Sequence, residues 1–247
     1  MWKTLDDVES IKLITIVDNK TLSEELQATW GLSFFVSVTG KDKNFNILMD
    51  TSGSVPAFFH NADRLGIKLQ SIDAIFISHG HGDHCGALPR VLQSVSKPVM
   101  IYVPSFKFFN VDYLQKLGGI QVVTNKDSTL FPGCISTGDI GGVVTEHTLV
   151  INVKNKGLMI LTGCSHPGVV KIIEKARAVS GVSKVYGVMG GFHISSDEAK
   201  YVANYLKEIG VQIVSPCHCT AEDAKEIIKQ ILGKNYVTNG SGLVLEI

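Results

Sequence analysis

The segment Ser78-His79-Gly80-His81-Gly82-Asp83-His84 places three histidines and an aspartate within six consecutive positions, spaced by glycines. Glycine lets the backbone turn tightly, so several side chains can converge on one point. Imidazole and carboxylate together suit zinc, iron or manganese. The competing reading is a polar loop of unrelated histidines. Three further histidines stand in small-residue turns: His166 in Thr162-Gly163-Cys164-Ser165-His166, His193 in Gly190-Gly191-Phe192-His193, and His218 in Pro216-Cys217-His218-Cys219-Thr220.

The elements that must position these residues follow from patterning. Runs rich in branched and aromatic residues predict strands over 11–17, 32–39, 45–49, 72–77 and 99–103, with helices over 55–65 and 86–95. Residues 105–145 resist assignment beyond several short β-like pieces. A hairpin is expected from 148–153 and 158–161. Helices over 168–179, 196–209 and 221–232 then alternate with strands over 184–188, 211–214 and near 243–246. The order strand, helix, strand, helix, strand occurs twice, once from Asn46 to Pro104 and once from Leu158 to Pro216, which suggests an internal duplication. In both copies the histidines sit just past the C-terminal ends of strands, where open α/β sheets build their sites.

Composition narrows the function classes. The 247 residues suffice for a substantial core, and 45% hydrophobic with 19% charged residues is a globular balance. Lys+Arg and Asp+Glu are both 23, so the chain lacks the basic footprint of a dedicated nucleic-acid binder. No apolar run is long enough for a spanning helix. The amino-terminal residues do not read as a signal peptide, and an odd number of cysteines, five, does not suggest a disulfide framework. A single cytoplasmic domain over 1–247, bound to neither membrane nor nucleic acid, is therefore expected.

With His79-x-His81-x-Asp83-His84 following a strand, the sequence resembles the metallo-β-lactamase superfamily. Trp30-Gly31-Leu32-Ser33-Phe34, Gly163-Cys164-Ser165-His166 and Pro216-Cys217-His218-Cys219-Thr220 resemble its branch of metal-dependent hydrolases, some labelled dihydropterin–ribofuranosylaminobenzene-phosphate synthase. The resemblance implies an α/β fold, an αββα sandwich of two similar halves. It implies one metal on His79, His81 and His166 and a second on Asp83, His84 and His218, with zinc first and iron or manganese as alternatives. It also gives Asp50 a supporting role, holding a ligand histidine by a hydrogen bond. One departure stands out. The superfamily usually sets a bridging Asp between the last two metal histidines, and here no Asp precedes Asp197 in that stretch. A neutral imidazole has one lone pair and cannot bridge, so His193 is expected either to bind one metal or to face the substrate as an acid or oxyanion donor. The alternative for His193 is a structural histidine opening a helix capped by Ser195 or Ser196.

The resemblance implies hydrolysis of a small ester, lactone or phosphoester by metal-activated water. Asp83 would orient that water, and helix starts after Gly191 and Thr220 would receive an anionic group. The alternatives are the methanopterin-type synthase and a non-catalytic metal-binding protein of the same fold. Redox chemistry of the flavodiiron kind is disfavoured, since those relatives carry Glu where this chain has His81. Cys164, Cys217 and Cys219 flank ligand histidines and are either ligands or small buried residues. Cys85 and His60 read as structural, His147 as a strand start with a lesser claim on the pocket, and Phe106-Lys107-Phe108-Phe109 as either a substrate lid or core.

Overall fold

Branched and aromatic runs become strands: β1 (Ser10–Val17), β2 (Ser33–Thr39), β3 (Asn44–Met49), β4 (Ala74–Phe76) and β5 (Val99–Val103). The computed structural model describes residues 4–95, 97–105 and 110–247, and the Phe106–Phe109 cluster lies outside them. The chain divides into two compact units. The first holds Glu9–Asn125 and Asn239–Ile247; the second holds residues 4–8 and Lys126–Thr238.

In the first unit, β1 pairs antiparallel with β2 and β2 with β3, whereas β3, β4 and β5 run parallel. Two elements come from the stretch that sequence left unassigned or near the terminus: β6 (Gly119–Val123) lies parallel to β5, and β13 (Val244–Glu246) lies antiparallel to β1. The sheet order is β13-β1-β2-β3-β4-β5-β6. Helix α1 (Val55–Arg64) starts where the Ser54 hydroxyl accepts from the Ala57 N–H, with a proline in its first turn. Its Phe58 and Ala62, with Val91 and Leu92 of α3 (Leu88–Ser94) and Leu114 of α4 (Val111–Lys116), pack against Leu48, Ile75 and Ile101 of the sheet. Each such buried Phe, Leu, Ile or Val side chain contributes about 1.5–3 kcal/mol. Asn61 of α1 is fully buried and satisfied: its amide donates to the Ile16 and Gln27 carbonyls, and its oxygen accepts from the Gln27 N–H.

The second unit repeats this plan. β7 (Ser128–Phe131), β8 (Cys134–Ser136), β9 (Leu149–Val153) and β10 (Gly157–Thr162) pair antiparallel in succession. β10, β11 (Val185–Gly191) and β12 (Ile213–Cys217) are parallel, giving the order β12-β11-β10-β9-β8-β7. Helices α5 (Val169–Ser180), α6 (Ser196–Glu208) and α7 (Glu222–Leu232) cover a core that includes Ile172, Val202, Ile228, Ile160 and Val188.

Three boundaries differ from expectation. The strand expected over 72–77 is shorter, because a 3-10 turn over Leu69–Ser71 takes up the approach. The helix expected over 86–95 is α3, preceded by a separate short helix, α2 (Gly82–Cys85), inside the histidine motif. The strands expected over 184–188 and 211–214 run on to Gly191 and Cys217, because ladder partners Gly190↔Pro216 and Gly191↔Cys217 override the turn-like composition. Pro216 is tolerated because β12 is at the sheet edge. None of the five cysteines is in a disulfide. Among the described residues no helix is long and apolar enough to cross a membrane.

Candidate functional site

In the first unit the histidine motif follows β4 and folds into α2. Asp50, just past β3, is fully buried and adopts the left-handed conformation (φ 56°). Holding a non-glycine residue there costs on the order of 1–2 kcal/mol, and three hydrogen bonds occupy its carboxylate. Oδ1 accepts from the Ser78 N–H at 2.8 Å. Oδ2 accepts from the Ser78 hydroxyl at 2.7 Å and from His84 Nδ1 at 2.7 Å.

These bonds assign the histidine tautomers. Because the Ser78 hydroxyl spends its proton on Asp50, its contact with His79 Nδ1 at 3.0 Å has the imidazole donating. His79 and His84 are thus both Nδ1–H tautomers whose lone pairs lie on Nε2, the arrangement that a carboxylate behind a metal-ligating histidine produces. Their rings lie 4.2 Å apart, centroid to centroid. His79 Nε2 approaches His81 Nδ1 to 3.1 Å. Two nitrogen ligands of one tetrahedral zinc at ~2.0–2.1 Å stand about 3.3 Å apart, so this donor pair fits a first-row divalent cation. Asp83, half-buried, has Oδ2 4.0 Å from His84 Nε2.

The loop before β2 is strapped to this motif. The Leu32 N–H donates to the Asp83 carbonyl, and the Ser52 N–H to the Leu32 carbonyl. Gly31 is required between them: its φ is +146°, and a Cβ there would lie 2.7 Å from the Asp83 carbonyl oxygen. Cys85 donates to the His81 carbonyl at 3.0 Å. Burial, with the carboxylates of Asp50 and Asp83 adding, pushes its thiol up to about 12, so it remains a protonated packing residue. His60 donates to the Glu25 carbonyl and serves the loop, away from the motif.

The second unit gathers its donors from three strand ends. His166 follows β10, His193 follows β11 and His218 follows β12, the last two in the left-handed conformation. Cys164 lies with His166 and His193, and also with His218 and Cys219, in groups whose potential ligand atoms are all within 4.8 Å of one another. The His166 and His193 rings are 4.6 Å apart. Thr220 ties two of the turns together, donating to the Cys217 carbonyl and accepting from the Phe192 N–H. Desolvation, with His166 adding, holds the His193 imidazole below its ordinary pKa, while Glu146 and Glu198 oppose the shift. His193 is therefore neutral near pH 7. The capping alternative finds no support, since Ser195 makes no side-chain cap bond to α6.

One residue escaped the sequence reading. Glu146 is fully buried just before β9, and its carboxylate accepts from the Ser165 N–H at 3.0 Å, the His166 N–H at 3.2 Å and, in a very short contact, His166 Nδ1. It fixes His166 as the Nδ1–H tautomer, as Asp50 fixes His84. The only sequence signal was an acid beside His147 in an otherwise apolar stretch. His147 itself is buried, with Nδ1 2.9 Å from the Ser136 hydroxyl, a structural placement. The helix starts expected to receive an anion carry acids in their first turns, Asp197 and Glu198 on α6, Glu222 and Asp223 on α7. Those carboxylates already complement the helix dipoles and disfavour a second anion there.

Comparison with known proteins adds to this geometry. Residues 31–213 match the family model of the metallo-beta-lactamase superfamily. Across the whole of both chains, the sequence is 28% identical to 7,8-dihydropterin-6-methyl-4-(beta-D-ribofuranosyl)-aminobenzene-5'-phosphate synthase of Methanocaldococcus jannaschii. The fold is shared with Tm1679, described as a metal-dependent hydrolase of the beta-lactamase superfamily, at TM-score 0.76 and 24% identity over 96% of this chain and 99% of that one. It is also shared with the metallo-beta-lactamase fold protein YhfI from Bacillus subtilis, at TM-score 0.66 and 16% identity over 96% and 99%.

Proposed function

The chain belongs to the metallo-β-lactamase superfamily, and from that premise we propose that it is a metal-dependent hydrolase of a small ester, lactone or phosphoester. The observation that carries the reading is the pair of Nε2-presenting histidines beside His81: His84 is held directly by the buried Asp50 carboxylate, and His79 by the Ser78 hydroxyl that itself donates to Asp50. The proposed ligands are His79, His81, Asp83 and His84 in the first unit and His166 and His218 in the second. A divalent cation, zinc first and iron or manganese after it, supplies Lewis acidity toward a carbonyl or phosphoryl oxygen and lowers the pKa of water.

The chain's own residues do the rest. Asp50 and Glu146 hold ring orientation and keep the Nδ1 protons away from the ligand side. Asp83 is half-buried, and its carboxylate accepts a hydrogen bond from the attacking water and sets its direction. His193, neutral at pH 7, donates a hydrogen bond to the oxygen on which charge develops.

The full-length similarity to the M. jannaschii synthase supports a second reading, a synthase of the kind that relative is named for. A non-catalytic metal-binding protein is the third. Metal content per chain, measured by mass spectrometry on protein purified without added metal or chelator, tests the first. One or two equivalents of zinc, iron or manganese, lost in His79→Ala, are expected, together with turnover of phosphodiester or lactone substrates. Bound metal without hydrolysis favours the synthase or the binding protein, which incubation with pterin and ribofuranosylaminobenzene phosphate precursors separates. No metal even after reconstitution defeats the hydrolase.

A further inference from the structure

Between His166 and His218 the only aspartate is Asp197, exposed in the first turn of α6 rather than at a strand end with the histidines, and His193 with its single lone pair cannot bridge two cations. We infer that the Cys164 thiolate takes the bridging role, joining two cations held in part by His166 on one side and by His218 on the other. The inference rests on the metal-dependent reading above.

Cys164 is the one residue common to both donor groups of the second unit: its Sγ lies within 4.8 Å of the ligand atoms of His166 and His193, and of those of His218 and Cys219. It sits two residues past β10, next to the turn that Glu146 pins through Ser165 and His166. It is buried, so its position is set by packing rather than by solvent. The neighbouring strand makes room for the cluster. A Cβ on Gly191 would lie 2.6 Å from Cys219 Sγ and 3.3 Å from Cys164 Cα, so a side chain there would collide with the group.

A thiolate sulfur has three lone pairs and, like a carboxylate, can coordinate two cations at once, which imidazole cannot. Coordination exchanges the Cys164 S–H proton for metal, and that proton leaves to solvent. The consequence is selectivity: a sulfur-containing site prefers zinc, cobalt or ferrous iron to manganese or magnesium.

Cobalt(II) titration of the full-length apoprotein tests this without relying on activity. The wild-type protein is expected to bind about two equivalents with an intense thiolate-to-cobalt charge-transfer absorption. Cys164→Ser should lose that absorption and one equivalent. Cys164→Asp, which restores a bridging carboxylate, should lack the absorption but regain the second equivalent. Cys134→Ala, in β8, should match the wild type. Cobalt bound by the wild type without thiolate absorption overturns the bridge and leaves the hydrolase reading standing. Absorption that persists in Cys164→Ser and disappears in Cys219→Ser assigns the sulfur to Cys219 and also overturns it. If the wild type binds no cobalt at all, both readings fall together.

Discussion

In the first unit four candidate ligands come from six consecutive residues, folded back by α2. In the second, His166, His193 and His218 come from three separate strand ends. The strand plan is nevertheless similar, antiparallel strands leading into parallel ones, four in the first unit and three in the second, with helices packed on the sheet. Each unit also buries one carboxylate behind a histidine: Asp50 behind His84, Glu146 behind His166. Aligning a lone pair thus takes the same device whether the ligands are close in sequence or far apart. A compact loop needs glycines for its path, and a dispersed set needs cross-ties such as the Thr220 hydroxyl.

The largest test of that equivalence is Asp50→Asn. It leaves an amide facing the donors of Ser78 and His84, and should cost about 3 kcal/mol of stability and 10–100-fold in metal affinity, read by thermal unfolding and chelator competition. Glu146→Gln is the counterpart in the second unit. About 2 kcal/mol is expected, since two of the three bonds are to backbone N–H groups that an amide oxygen can still serve, with a similar loss of metal affinity. Should Glu146→Gln leave metal affinity at the wild-type value while Asp50→Asn does not, the two carboxylates are not equivalent.

Gly31→Ala comes next, at about 1–3 kcal/mol, because the new Cβ meets the Asp83 carbonyl. It should weaken metal binding through Asp83, whereas a pure stability loss with unchanged affinity would show that the strap does not position the motif. The smallest effect belongs to Asp73, outside the motif. Burial raises its pKa, but the Lys97 ammonium and the Asn46 N–H outweigh this and hold it below the usual carboxylate value. A depressed native pKa stabilises above the unfolded-state pKa of about 3.9, and that increment disappears as pH falls through the native value. Asp73→Asn should therefore cost under about 1 kcal/mol at pH 7, and the difference from wild type should shrink in denaturant titrations as pH falls below the unfolded-state value.

Most strands and helices were legible because their periodicity is strong: Ser10–Val17, Val55–Arg64 and Ser196–Glu208 fall within one or two residues of expectation. The stretch 105–145 was not, since β6, β7 and β8 are short, the first two partly exposed, and pairing partners rather than propensity define them. For the same reason β11 and β12 extend through glycines and a proline that composition assigns to turns. Glu146 was missed because a lone acid carries no spacing signal.

Sequence alone determined the histidine motif and the duplicated strand order, because these are matters of residue type and local period. Tertiary structure decided which carboxylate orients which imidazole, and hence the tautomer that presents Nε2. It also decided that Cys164 sits between two groups of donors. Such contacts join residues that pairing of separate strands alone brings together, and a linear chain does not encode them at any fixed spacing.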